Sequence, residues 1–95
     1  MPVRPDPTAP DLHLGHMNLA NLLADTNRVA AALEHYAEAA RLNPNDADVR
    51  YNLGVTLAGT RRYAEAAAAF REALRIDPGH ENARRNLEAL ATRTR

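Results

Sequence analysis

The sequence predicts an all-α fold, a five-helix array of antiparallel helix pairs of the α-solenoid class. Three observations predict it. The chain repeats itself at an interval of 34 residues, so that Asn18-Leu19 falls on Asn52-Leu53 and then on Asn86-Leu87, while Pro10, Pro44 and Pro78 coincide. Within each repeat the apolar residues keep the three-and-four rhythm of one helix face. Turn and stop residues divide each repeat into two helices. A period of this length marks stacked helical units, each too small to bury its apolar face alone.

The elements follow in order. Residues 1–10, MPVRPDPTAP, hold four of the six prolines and no apolar signal core, and read as an extended lead-in. The first helix is expected near 11–25, on Leu19, Leu22 and Leu23, and stops at ADTNR, where Asp and Asn favour a turn. The second is expected near 28–42, on Val29, Ala32, Leu33, Tyr36, Ala39 and Ala40, and ends at NPND because Pro44 cannot continue it. The third, near 46–58, stops at AGTRR, with glycine as the stop residue. The fourth, near 62–76, ends at DPGH, and the fifth is expected near 80–92. More pairs coincide at the same interval: Leu23 with Leu57, Ala32 with Ala66, Ala39 with Ala73, Arg41 with Arg75, and conservatively Tyr36 with Phe70 and Asn43 with Asp77. The organisation is therefore a domain over 11–95, with repeats at 13–46 and 47–80 and a capping helix at 81–93.

Packing follows from residue size. Ala20 or Gly54 on the first helix of a repeat meets Ala32 and Ala39, or Ala66 and Ala73, on the second. The two axes then approach toward the lower end of the usual range of about 8–10 Å. Tyr36 and Phe70 are expected to fill the space between repeats. Glu88 stands in the place of Ala20 and Gly54, where a buried carboxylate would be costly. The fifth helix therefore reads as a solvated cap, with Arg84, Glu88 and Thr92 outward and Arg95 as a natural end. Leu22 stands where Thr56 and Leu90 would contact a preceding repeat, so an exposed apolar edge is expected there.

These residues carry a resemblance. Leu53-Gly54, Leu57, Ala66, Phe70, Ala73 and Pro78, and in the first repeat Leu19-Ala20, Leu23, Ala32, Tyr36, Ala39 and Pro44, resemble the tetratricopeptide repeat pattern. The likeness covers two full repeats and one further helix, residues 13–93. It departs from the pattern at His16 and Arg50, where the family often has Trp. The resemblance implies a right-handed superhelix whose first helices line a concave groove. It places in that groove Leu14, Met17 and Asn21 with Ala24, then Asp48, Tyr51, Asn52 and Val55, then Asn82, Arg85, Asn86 and Ala89. Some relatives grip a C-terminal carboxylate with two Asn and three basic residues. Asn21 and Asn52 match the amide places, but Met17, Asn82 and Asn86 stand where bases are expected, so that clamp is incomplete.

Composition narrows the function classes. Formal charge is zero and no cysteine is present, which removes disulfides, thiolate nucleophiles and Cys-based zinc sites. Serine is absent too, and no glycine-rich phosphate loop or carboxylate pair stands beside a histidine. Catalysis thus has no evident parts, and neither an enzyme nor a cofactor is expected. His13 and His16 lie three apart on one helix face, but no third ligand is near in sequence, so no metal is expected there either. His35 and His80 read as isolated surface residues. The apolar runs are too short to span a bilayer, and the cytoplasm is the default compartment. Arginine without lysine and abundant alanine fit a GC-rich bacterial genome as readily as a physical demand.

A protein-interaction module remains, presenting its groove to a short peptide of about five residues at about 3.3 Å each, or to a partner helix. The repeated Asn18, Asn52 and Asn86 also read structurally, as amides bonding a neighbouring helix. The alternative is self-association through the first helix at Leu22. Three arginines face six acids in 1–46 and nine face six in 47–95, so opposed charges would help. Nucleic-acid binding, suggested by Arg61-Arg62, Arg84-Arg85 and the terminal TRTR, lacks a basic stripe with interleaved aromatics.

Overall fold

Five helices and no strand make up the described residues of a computed structural model, which describes residues 8–93, with side chains from 13 to 92. They are α1 (Thr8–Asp25), α2 (Val29–Leu42), α3 (Ala47–Gly59), α4 (Tyr63–Ile76) and α5 (Glu81–Arg93). The chain divides into two compact units, Met1–Pro44 and Asn45–Arg95. Four helix starts lie within one residue of the expected positions. The exception is α1, which begins at Thr8, so residues 8–10 belong to the helix and not to an extended lead. Pro10 is tolerated there because the first four N–H groups of a helix have no intrahelical acceptor. The rest of the proposed lead, residues 1–7, lies outside the described residues.

In the first unit α1 packs on α2. Ala20, Ala32 and Ala39 are fully buried, and each presents only a methyl group, which lets the two backbones approach. Tyr36 supplies the bulk of this core at 1% exposure. Its hydroxyl is satisfied by donating to Asn21 Oδ1 on α1. The amide that reaches across to the neighbouring helix is thus Asn21; Asn18 is exposed.

In the second unit α4 packs on both α3 and α5. Val49, Leu57, Ala66, Ala69, Phe70, Ala73, Ala83 and Leu90 form its core. Phe70, at 1% exposure, lies against Gly54 and Tyr51, with the Tyr51 ring centroid 5.8 Å away. Phe70 thus packs on its own helix partner α3 and also borders α5, the helix of the following repeat. Arg84, Glu88 and Thr92 of α5 are all exposed, and Arg84 bridges both Glu81 and Glu88.

The stop signals hold one surprise. Both α1 and α3 end in the same double-bonded turn. Arg28 N–H reaches Leu23 O at 2.7 Å and Asn27 N–H reaches Ala24 O at 3.1 Å, while Arg62 N–H reaches Leu57 O and Arg61 N–H reaches Ala58 O, each at 3.0 Å. This pattern requires a left-handed residue just beyond the helix. Asn27 takes it at φ 67° and Arg61 at φ 66°. Gly59, expected as the stop, instead lies inside α3, two residues before the position the turn needs. A side chain with a Cβ pays about 1 kcal/mol in that conformation. Arg61→Gly should therefore raise stability by about 1 kcal/mol in urea denaturation, with a smaller gain for Asn27→Gly, because Asn already tolerates the left-handed region.

Candidate interaction surface

The residues expected to face a partner lie on three helix faces. Leu14, Met17 and Asn21 occupy one face of α1 at intervals of three and four, with Leu14 exposed and the other two half-buried. Asp48, Tyr51, Asn52 and Val55 share a face of α3, with Asp48 and Val55 exposed. Asn82, Arg85, Asn86 and Ala89 share a face of α5, and all but Asn86 are exposed. In the first unit, Asn21 is engaged by the Tyr36 hydroxyl.

Within the second unit two groupings form. At the N-terminal end of α5, His80 gathers Asp48 and Tyr51. Its Nε2 lies 2.8 Å from Asp48 Oδ1, its Nδ1 accepts from the Ala83 backbone N–H at 3.1 Å, and its ring centroid is 5.0 Å from that of Tyr51. A nitrogen that accepts a backbone N–H is unprotonated, so the neutral ring must carry its proton on Nε2 and donate it to Asp48. His80 thus caps α5 as Asp46 caps α3, where Oδ1 accepts from Asp48 N–H at 2.9 Å. The two caps stand 34 residues apart with different side chains. His80 is accordingly no isolated surface residue. Its side chain is 11% exposed, and both ring nitrogens are engaged.

The second grouping is an open cleft of about 330 Å³ lined by Ala58, Gly59, Tyr63, Phe70, Asn86, Ala89 and Leu90. Its walls are aromatic, aliphatic and small, and Asn86 brings the one side-chain amide. A volume of this size accepts one or two large side chains. Asn86 and Ala89 were expected on this surface; Ala58, Gly59, Tyr63, Phe70 and Leu90 were not. The missed signal is the helical period itself, since Ala58 and Gly59 continue the Asp48, Tyr51, Asn52, Val55 face by another three and four residues. A shallower cleft of about 250 Å³ uses Tyr63 and Leu90 together with Ala64, Ala67, Arg71, Leu87 and Ala91.

Charges around these faces are mostly local. Arg41 pairs with Glu38, Arg62 with Glu65, Arg75 with Glu72 and Arg84 with Glu81, each three residues apart on an exposed helix turn. The guanidinium hydrogen bonds hold the Glu38, Glu65 and Glu72 carboxyls below their ordinary 4.5. Arg50 adds to the effect on Glu72, and His16 to that on Glu38. Two of the arginines that suggested a nucleic-acid surface, Arg62 and Arg84, are therefore committed to neighbouring carboxylates. The side chain of Arg93, with Thr94 and Arg95, lies outside the described residues. Among those residues no helix is long and apolar enough to cross a membrane.

Comparison with known proteins agrees with the repeat geometry. Among curated proteins no sequence matches the chain. The tetratricopeptide repeat family matches it over residues 17–81, more than half its length, spanning α2, α3 and α4 and the C-terminal half of α1. With antiparallel helix pairs closed by small residues at a 34-residue interval, the chain belongs to the tetratricopeptide repeat family.

Proposed function

We propose that this chain is a non-catalytic interaction module that binds a short peptide or a partner helix on the exposed faces of its first helices. The family supports protein binding in general. The carrying observation for a particular place is the cleft lined by Tyr63, Phe70, Asn86, Ala89 and Leu90. An apolar cleft with one amide at its wall suits a bulky apolar side chain, and the amide can hold the peptide backbone beside it. Arg85, exposed on the same face of α5 as Asn86 and Ala89, favours an acidic residue next to that anchor. The affinity expected of so small a surface is roughly micromolar.

The test is a peptide-display selection against the whole chain, followed by titration of the recovered peptides. Ala89→Arg should fill the mouth of the cleft and weaken binding by about tenfold or more, and Arg85→Glu should weaken acidic peptides selectively. Equal affinities for wild type and both variants would sink the reading.

A second reading is favoured by α1, where Leu22 is 59% exposed and Leu19 is exposed beside it. Two leucines three residues apart on an open face suit self-association through α1. Light scattering over a concentration series separates the readings. A dimer abolished by Leu22→Glu supports self-association, and a monomer at every concentration removes it.

A further inference from the structure

His16 and His35 form a pair that neither the family nor the proposed interaction surface uses. They face each other across the first unit from α1 and α2, with Nδ1 atoms 3.0 Å apart, ring centroids 5.2 Å apart and both side chains half-buried. In a neutral pair one ring donates its Nδ1 proton to the other. The same separation has a second meaning. Two ligand nitrogens each about 2.1 Å from a metal ion stand about 3 Å from each other in a square-planar or octahedral shell and about 3.4 Å in a tetrahedral one. The rings stack at an interplanar angle of 26°, so bringing both in-plane lone pairs onto one ion requires ring rotation, which the broad histidine χ2 torsion allows.

We infer that His16 and His35 are a two-imidazole site for a late first-row divalent ion such as Zn²⁺, Ni²⁺ or Cu²⁺. Imidazole nitrogen suits these ions, whereas magnesium and calcium prefer oxygen. Among the described residues no cluster of three or more His, Cys, Asp or Glu could hold an ion, so this site is bidentate and water completes the shell. Glu38 lies one turn beyond His35 on α2 and is close enough for positive charge on His16 to favour its ionised form. Its charge would favour a cation on the pair in the same way, and Arg41 offsets part of that attraction.

The pairing differs from the one sequence spacing suggested. His13 shares the α1 face of His16, yet it turns to Asn43, whose Nδ2 lies 3.3 Å from His13 Nε2. The repeat does not require the pair either. The same two places in the second repeat hold Arg50 and Ala69, which cannot bind a metal in this way. The site thus belongs to this chain's first unit, where a bound ion would join α1 to α2 and stabilise the pair by mass action.

The test uses the full chain with no affinity tag and Zn²⁺ alone as probe. Two-bond proton–nitrogen NMR spectra report each ring nitrogen of the four histidines. The expected result is one Zn²⁺ per chain by calorimetry, with the Nδ1 signals of His16 and His35 both shifted and the rings of His13 and His80 unmoved. Affinity should fall about tenfold or more in His16→Gln and in His35→Gln, because each loses the chelate, and should persist in His13→Gln. Zn²⁺ that moves only one of the two rings, or that binds His16→Gln and His35→Gln as tightly as wild type, overturns the proposal. If a variant loses helicity by circular dichroism, the wild-type ring shifts decide by themselves.

Discussion

Phe70→Ala should destabilise the second unit by about 3–5 kcal/mol, the largest loss expected from any single truncation in that unit. The ring is 1% exposed, lies against Gly54 and Tyr51, and lines the cleft beside Asn86 and Leu90. Around it the core is largely alanine, Ala66, Ala69, Ala73 and Ala83, whose single methyl groups cannot move in to refill the space. A cavity that cannot collapse costs more than the transfer of the lost atoms alone. Domains of this size have stabilities of about 5–14 kcal/mol. The variant should thus lose a large part of the whole, and urea denaturation should show its midpoint far below that of the wild type. A loss under about 1 kcal/mol would mean that Phe70 does not organise this core. Tyr36→Ala offers the parallel in the first unit, with a further loss from leaving Asn21 without its hydroxyl donor.

Gly54→Val should cost about 3 kcal/mol by the opposite mechanism, overpacking. A Cβ at Gly54 would lie 2.6 Å from Phe70 Cε1, 2.8 Å from Cδ1 and 2.9 Å from Cζ, distances no ordinary carbon contact reaches. The ring is 1% exposed and packed against α3, so relief requires it to shift toward the cleft or α3 and α4 to separate. Gly54→Ala should cost much less, because alanine gains about 1 kcal/mol in helix propensity over glycine. Moreover the first repeat accommodates Ala20 opposite Tyr36 at the same two positions. A double-mutant cycle makes the argument specific. Combined with Phe70→Leu, which shortens the opposing side chain, Gly54→Val should lose at least about 1 kcal/mol less than the two single losses predict. Additive losses would place the strain somewhere other than the ring.

Much of this fold was legible in one dimension. The 34-residue interval, the five helices and the alternation of small and large residues survive in the structure with helix ends shifted by at most three residues. Helical periodicity and proline stops are local properties, read within a window of a few residues. The turn after α3 shows where locality fails. Glycine was the obvious stop residue, yet the pattern that ends α1 imposes its left-handed position two residues later, on Arg61. The cleft of the proposed surface was legible only in part, because its lining draws on α3, α4 and α5 together. Asn86 and Ala89 came from their helix face, while Tyr63 and Phe70 looked like packing residues until the cleft placed them at its wall.

What the sequence determined by itself is therefore the scaffold: a tandem of helix pairs, the small residues that let each pair close, and membership of the tetratricopeptide repeat family. What only the tertiary structure decided is which side chains meet. Three pairs of distant residues show it: His80 with Asp48, 32 apart; His13 with Asn43, 30 apart; and His16 with His35, 19 apart. Each depends on the rotation and register of one helix against another. Register is set by how alanines, glycine and aromatics interlock across the interface, a three-dimensional fit that no helical period encodes.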